Sequence, residues 1–222
     1  MTGPSTCPTG DRSYLIRVPL DPLLAAETER LLVRFETEPE HTEHVARLAL
    51  QLFDQLLDWH QLTLRDRDLL EVAAVLHDIG WSQCQPDGRA HHKATAQLIR
   101  AHPWQGLSPS EVECVAEVAR YHRKSLPDLT RHASFARLPE EDRHRVVQLA
   151  AFLRIADGLD RRHIQRVRRI SASFAPEGLI VLAYAPGEIE TELAAADKKS
   201  DLLRRLIRLG PTFAARLELS ST

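Results

Sequence analysis

A chain of 222 residues, 43% of them hydrophobic and 27% charged, is long enough to bury a sizeable core and has the composition of a globular protein. The formal net charge of -2 excludes a global attraction to nucleic acid or anionic membranes, so any basic site must be local. The 3 cysteines are widely spaced, and neither a signal-peptide pattern nor an 18-residue apolar run occurs. These features predict a cytoplasmic protein without a disulfide framework.

Residues 21–168 have the pattern of a helical body, preceded by a Pro-, Gly- and Ser-rich segment, 1–20, that we expect to be poorly ordered. Apolar residues recur at helical spacing in HVARLALQLFDQLLDWH, and LRDRDLLEVAAVLHDIG is apolar almost all round towards its end. After a polar turn at QPDGRA, HHKATAQLIRAH predicts another helix. Ser108 and Glu111 form a capping box with Pro109 at the start of SPSEVECVAEVARYH. The segment EEDRHRVVQLAAFLRIADGLDRRH predicts a helix that is interrupted near Gly158.

Residues 169–222 predict a small α/β appendage. RISASF and LIVLAY, separated by APEG, are typical of a β-hairpin. IETELAA is compatible with a strand or with the start of a helix, DKKSDLLRRLIRLGP predicts a helix, and AARLEL is compatible with a last strand. The predicted fold class is therefore mainly α, a helical bundle with a C-terminal α/β appendage.

Ionisable side chains occupy positions in these helices that usually hold apolar residues. His77 and Asp78 end a helix that is apolar before them, and a buried carboxylate is costly unless a positive charge lies beside it. Further residues of this kind, on apolar faces or at helix ends, are His44, His91, His122 and Asp157. Each one alone is more often a hydrogen-bonded core residue or part of a turn. All six in one core predict a divalent-cation site, because neutral imidazoles and carboxylates are suitable ligands.

The same residues resemble the HD superfamily of metal-dependent phosphohydrolases. The segments HHKATAQLI, ARYHRKSLP and LAAFLRIADGLDRRH, in this order, resemble the HD-type C-terminal region of the exopolyphosphatase/guanosine pentaphosphate phosphohydrolase (Ppx/GppA) family. This resemblance extends from Pro39 to His163. It implies that the core metal ligands are His44, His77, Asp78 and Asp157. The two extra histidines of two-metal members fall on His91 and His122, with His91 preferred over His92 because of the frame that ends in Ile99.

The chain departs from these relatives in two respects. It has HHKAT where related sequences often have HHKHS, so one histidine is missing. It also shows no counterpart of the family's actin-like catalytic portion with glycine-rich phosphate loops, and it contains only 9 glycines. Exopolyphosphatase activity as catalysed by that portion is therefore not carried over.

The resemblance implies a metal-dependent phosphohydrolase that uses metal-activated water on a nucleotide or another phosphoanhydride or phosphoester. The expected cofactor is one or two divalent ions of Mn, Fe, Ni, Co or Zn, with Mg as a further candidate. Asp78 is expected to bridge the ions, while Lys93 and Arg123 orient the phosphate. The alternative is a non-catalytic metal-containing module that binds polyphosphate, an alarmone or a partner phosphatase.

Basic residues are concentrated in two stretches, RYHRK and DRRHIQRVRR. They are typical either of a rim that binds phosphate groups or of a solvated helix face, and both interpretations stay open. The basic residues concerned are Arg120, Arg123, Lys124, Arg161, Arg162, Arg166, Arg168 and Arg169. Aromatic residues, 5% of the chain, do not interleave with them, so nucleic acid is not an expected partner. We expect a phosphate-containing small molecule as partner and no membrane, and the sequence leaves a homo-oligomer open.

Overall fold

The computed structural model describes residues 19–84, 87–207 and 210–218. Nearly all of the segment expected to be poorly ordered, with Cys7, lies outside these ranges. The helices of the body are α1 (Pro22–Phe35), α2 (Pro39–Gln55), α3 (Leu57–His60), α4 (Leu64–Val75), α5 (His91–Ala101), α6 (Pro109–Arg120), α7 (Ala133–Arg137) and α8 (Glu140–Leu159). A short 3-10 helix, Ile79–Gln83, separates α4 from α5. The appendage contains β1 (Arg169–Ala175), β2 (Gly178–Ala185), α9 (Glu190–Lys199), α10 (Leu203–Leu206) and β3 (Thr212–Leu217). The mainly helical fold class with a C-terminal α/β appendage is confirmed.

Helix α8 lies at the centre of the helical body. It contacts α2, α4 and α6, and α5 is attached through its contact with α6. Nearly every side chain from Val146 to Leu159 is buried, as expected for a helix surrounded on all sides. The capping box of Ser108 and Glu111 starts α6 as predicted. None of the described helices combines the length and the apolar character that crossing a membrane requires.

The predicted hairpin forms the first two strands of a three-stranded sheet of order β1-β2-β3. Strands β1 and β2 are antiparallel, whereas β3 is parallel to β2, with α9 and α10 in the connection between them. The ambiguous segment IETELAA belongs to the helix α9. On the body side, Gln51 and Gln55 of α2 accept hydrogen bonds from the amides of Ile170 and Ala172 at 2.8 and 2.9 Å. These contacts fasten the hairpin to the bundle.

The predicted interruption near Gly158 is confirmed to within one residue, because α8 ends at Leu159. Gly158 itself is still helical, and it also serves packing. A Cβ on Gly158 would lie 2.7 Å from both Cα and N of Ala196 in α9, closer than real Cβ contacts allow. The absence of a side chain therefore lets the backbones of α8 and α9 touch.

Replacing Gly158 with alanine is expected to destabilise the protein although alanine is the better helix former. The added methyl group meets backbone, which cannot rotate away, and overpacking of this kind costs roughly 1–3 kcal/mol against a helix-propensity gain of about 1 kcal/mol. Thermal unfolding should show a lower melting temperature for Gly158→Ala than for Gly187→Ala. At Gly187 the Cβ would meet only the flexible Arg166 side chain, with Nη1 at 3.2 Å. Equal melting temperatures would contradict the tight packing of α8 on α9.

Candidate metal centre

His77 and Asp78 lie in the turn after α4, whereas the apolar pattern placed them at the end of the helix. Helix α4 ends at Val75. The Nδ1 atom of His77 donates a 2.7 Å hydrogen bond to the carbonyl oxygen of Ala74. The imidazole thus donates to a carbonyl oxygen at the end of the helix, which would accept from a backbone amide if the helix continued. Both side chains are buried.

A close backbone contact holds this turn against the first turn of α5. A Cβ on Gly80 would lie 2.2 Å from the carbonyl oxygen of His91, so only glycine fits there. The Thr95 hydroxyl donates to the carbonyl of His77 and accepts from the amide of Gly80, each at 3.0 Å. These contacts bring the His91 imidazole beside Asp78.

Three buried imidazoles share a local arrangement in which Nδ1 bonds the carbonyl oxygen three residues earlier. The pairs are His77 with Ala74 at 2.7 Å, His91 with Gly88 at 2.9 Å and His122 with Ala119 at 2.7 Å. A carbonyl oxygen only accepts hydrogen bonds, so Nδ1 must carry the proton. In the neutral ring Nε2 then presents a lone pair, which is the form that a metal ion requires.

His41, in the first turn of α2, has the same tautomer for a different reason. Its Nδ1 donates to Oδ2 of Asp160 at 2.8 Å, and Asp160 is itself buried and accepts the amide of Gln165 at 2.8 Å. A carboxylate that orients an imidazole from behind is typical of protein metal sites. The Nε2 atom of His41 therefore also presents a lone pair to the centre.

His44, the first ligand implied by the resemblance, lies outside the groups of potential ligands that the structure brings together. Arg47 donates to its Nδ1, so the proton of the neutral ring must be on Nε2. This is the opposite tautomer, without a lone pair at Nε2. Burial, the largest cause, lowers the pKa of His44 to about 4, which favours the neutral ring. The structure places His41, and not His44, beside the HD pair.

The donor atoms converge in two groups, within each of which all lie within 4.8 Å of one another. The first group contains His41, His77 and Asp157, and the second contains Asp78, His91 and His122. All of these residues are buried. Five of the six sequence-predicted metal ligands thus lie together, and His91 rather than its neighbour His92 belongs to the set.

Asp78 faces both groups with different oxygen atoms. Its Oδ2 lies 3.6 Å from Nε2 of His77 and 3.9 Å from Nε2 of His41. Its Oδ1 lies 3.1 Å from Nε2 of His91 and 3.5 Å from Nε2 of His122. A carboxylate in this position has the geometry of a bridge between two cations.

The arrangement fits a cation because several nitrogen and oxygen atoms that can only accept hydrogen bonds face one another. The Nε2 atoms of His91 and His122 are 3.3 Å apart although both carry lone pairs. The buried Nε2 atoms of His41 and His77 and Oδ1 of Asp78 have no hydrogen-bond partner. Buried acceptors left in this way are costly. One or two divalent ions among them would remove this cost.

The electrostatic environment keeps the carboxylates ionised and the imidazole of His122 neutral. Burial raises the pKa of Asp78, and a positive charge beside it holds that pKa well below its usual range. Protonated imidazoles, chiefly His77, supply this charge without metal, and a bound cation would supply it when the imidazoles are neutral. Burial likewise opposes ionisation of Asp157, whose pKa is held low chiefly by the Lys199 ammonium. Burial lowers the pKa of His122 well below its ordinary value. These are the protonation states of metal ligands.

Of the two expected phosphate contacts, Arg123 lies against His91 of the second donor group, whereas Lys93 lines a cavity that none of the grouped residues lines. The Arg123 guanidinium is 3.3 Å from both ring nitrogens of His91, which places it over the ring. Lys93 is exposed and lines a cavity of about 180 Å³ together with His92 and Arg120. Several members of the basic stretches form ion pairs instead: Arg120 with Glu117, Arg162 with Glu192 and Arg169 with Glu218.

Sequence reasoning missed His41, Asp160, Lys199 and Trp81. The Trp81 ring stacks on the His91 imidazole with centroids 4.5 Å apart and so helps to hold it in place. Trp81 follows the HD pair closely, and its aromatic character was the available signal. No pattern in the sequence marks Asp160 or Lys199, whose contacts with the centre join segments far apart in the chain.

The model of the family described as Ppx/GppA phosphatase, domain III, matches residues 25–178, well over half of the chain. The chain belongs to this family. As a Ppx/GppA domain III protein it is related to phosphatases, and the matched range contains every residue of the two donor groups. No curated protein matches the chain.

Proposed function

We propose that this Ppx/GppA domain III protein is a metal-dependent phosphohydrolase of the HD superfamily. The observation that carries the proposal is the position of Asp78 between two groups of buried donors, one oxygen towards each. The family supports a phosphatase-related function, and the donor set supports metal catalysis. The proposed ligands are His41, His77, Asp78 and Asp157 for one ion and Asp78, His91 and His122 for the other.

The composition of the ligand set favours certain metals and an open coordination sphere. Imidazoles mixed with carboxylates suit Mn, Fe, Ni, Co or Zn, with Mg as a further candidate. The second group offers three ligand atoms from the described residues. Catalytic sites typically have this number and leave a position for water or substrate, whereas structural zinc sites are closed by four protein ligands.

The protein's own residues would position the reactants. Asp160 holds His41, and the backbone carbonyls hold the other imidazoles, so that the ligands require little reorganisation. Arg123 beside His91, and Lys93 in the cavity that His92 also lines, would orient the phosphate group through charge-assisted hydrogen bonds. Bound divalent ions would supply a water of lowered pKa and charge stabilisation at the phosphate. The substrate class is a nucleotide or another phosphoanhydride or phosphoester.

The proposal predicts phosphate release that depends on Asp78 and on metal. Purified protein loaded with Mn, Fe, Ni, Co, Zn or Mg would be screened over nucleotides and inorganic phosphoanhydrides. At least one combination should release phosphate, and Asp78→Asn should lower turnover on the order of a hundredfold or more, because both ions lose a shared ligand. Asp87→Asn, at a carboxylate outside the centre whose side chain is 57% exposed, is the matched control and should retain full turnover.

The outcome of the screen also decides about the alternative function. A protein that binds metal stoichiometrically but hydrolyses no substrate would favour the non-catalytic module that binds polyphosphate, an alarmone or a partner phosphatase. A protein that binds no divalent metal would contradict both functions.

A further inference from the structure

Lys199, the last residue of α9, reaches the candidate metal centre from the appendage. Its ammonium group contacts Oδ2 of Asp157. Lys199 lies beyond the range 25–178 that the family model matches. It is a charged group at the centre and is not one of the proposed metal ligands.

The fold fixes the position of this lysine through two features of α8. Gly158 allows α9 to approach at Ala196, one helical turn before Lys199. Arg154 then holds the end of α9, since it donates to the carbonyl oxygen of Lys199 at 3.2 Å and to Oδ1 of Asp201 at 2.8 Å. A long flexible side chain thus starts from a backbone that is fixed to the helix carrying Asp157.

The contact leaves Asp157 able to act as a ligand. Lys199 is at Oδ2, whereas Oδ1 lies 3.8 Å from Nε2 of His41, on the side of the first donor group. Asp157 accounts for one of the three N–H donors of the ammonium. Among the residues that the structure describes, no second side chain forms an ion pair or hydrogen bond with it.

Lys199 lies on the side of the centre that solvent reaches. The side chains of His41, His77, His91 and His122 are at most 2% exposed, whereas those of Asp78 and Asp157 are each 11% exposed. The Lys199 side chain is 21% exposed. A substrate phosphate that approaches from solvent would therefore meet this ammonium beside the two carboxylates.

We propose that Lys199 is a phosphate-binding residue of the centre, whose ammonium donates to a phosphate oxygen while it keeps its contact with Asp157. The inference rests on the proposed metal-dependent function of this site. A lysine ammonium is a compact charge with three donors and is a common phosphate ligand in proteins. The competing role is structural, in which Lys199 only compensates the charge of the buried Asp157.

The test compares Lys199→Met with Lys198→Met in metal-loaded protein. Lys198 is the adjacent, exposed lysine of the same helix and therefore a matched control for net charge. The probe is inorganic phosphate, whose affinity is measured by titration calorimetry, while metal content is measured by mass spectrometry on the same samples. Lys199→Met should bind phosphate roughly tenfold to a hundredfold more weakly at unchanged metal content, as expected for loss of a charge-assisted hydrogen bond. Lys198→Met should behave as the wild type, and Lys199→Arg should recover part of the affinity.

Three results would overturn the inference. They are equal phosphate affinity of Lys199→Met and the wild type, no phosphate binding by metal-loaded wild type, or loss of metal together with phosphate in Lys199→Met. The last result would assign Lys199 to charge compensation alone. If phosphate binding depends on Lys199 but no substrate is hydrolysed, the hydrolase proposal fails and the phosphate site stands.

Discussion

His41→Ala is expected to lose about one equivalent of bound metal, whereas His44→Ala should keep the full complement. The two histidines lie one turn apart on α2, but only His41 presents an Nε2 lone pair to His77 and Asp157. Arg47 holds His44 in the opposite tautomer. Loss of a primary ligand should weaken binding of that ion by at least the roughly tenfold to hundredfold typical of losing its outer partners. Metal content after loading and gel filtration, measured by mass spectrometry, checks this.

This pair of variants also separates the structural assignment from the assignment by resemblance. If His44→Ala loses metal and His41→Ala retains it, the tautomer argument is wrong and the ligand first implied by the sequence resemblance is restored. Asp160→Asn provides an intermediate test, because an amide in this position can still accept from His41 but carries no charge. We expect weakened but measurable metal binding in that variant.

The sequence predicted those parts of the centre whose local surroundings are apolar. His77, Asp78, His122 and Asp157 stand out because apolar residues precede them at helical spacing, so their burial was predictable. His41 lies in the first turn of α2, before the apolar stripe is established. Its role depends on Asp160, which is 119 residues away in the chain. Periodicity along one helix contains no information about such a partner.

Lys199 illustrates the same limit for the appendage. In DKKSDLL it is one of two adjacent lysines in a polar stretch, and nothing local distinguishes it from Lys198. The difference arises from the contact of α9 with α8 at Gly158, a glycine that the sequence pattern suggested would interrupt the helix. The fold class and most of the ligands could thus be predicted from the sequence, whereas tautomers, outer partners and the lysine required the packing of distant segments.

His122→Ala is expected to retain one bound metal ion while it loses most of its phosphate-release activity. His122 belongs to the second donor group, and its Nε2 lies 3.5 Å from Oδ1 of Asp78. The first group, with His41, His77, Asp157 and Oδ2 of Asp78, does not contain it. The variant should therefore keep about one equivalent of metal. Phosphate release should fall on the order of a hundredfold, because activation of water and stabilisation of charge are shared between two ions in sites of this kind.

The control for this variant is His60→Ala, which removes another buried imidazole away from the centre. His60 bonds the carbonyl oxygen of Phe53 at 2.9 Å and accepts the amide of Leu62 at 2.9 Å. Its loss should lower the melting temperature and leave metal content and turnover per folded molecule unchanged. If His122→Ala retains full turnover, the second ion is not catalytic and the first group alone supports the reaction. If His122→Ala loses both ions, the two groups form one cooperative site. Oδ2 of Asp78 would then bind the first ion only when a second ion is bound at Oδ1.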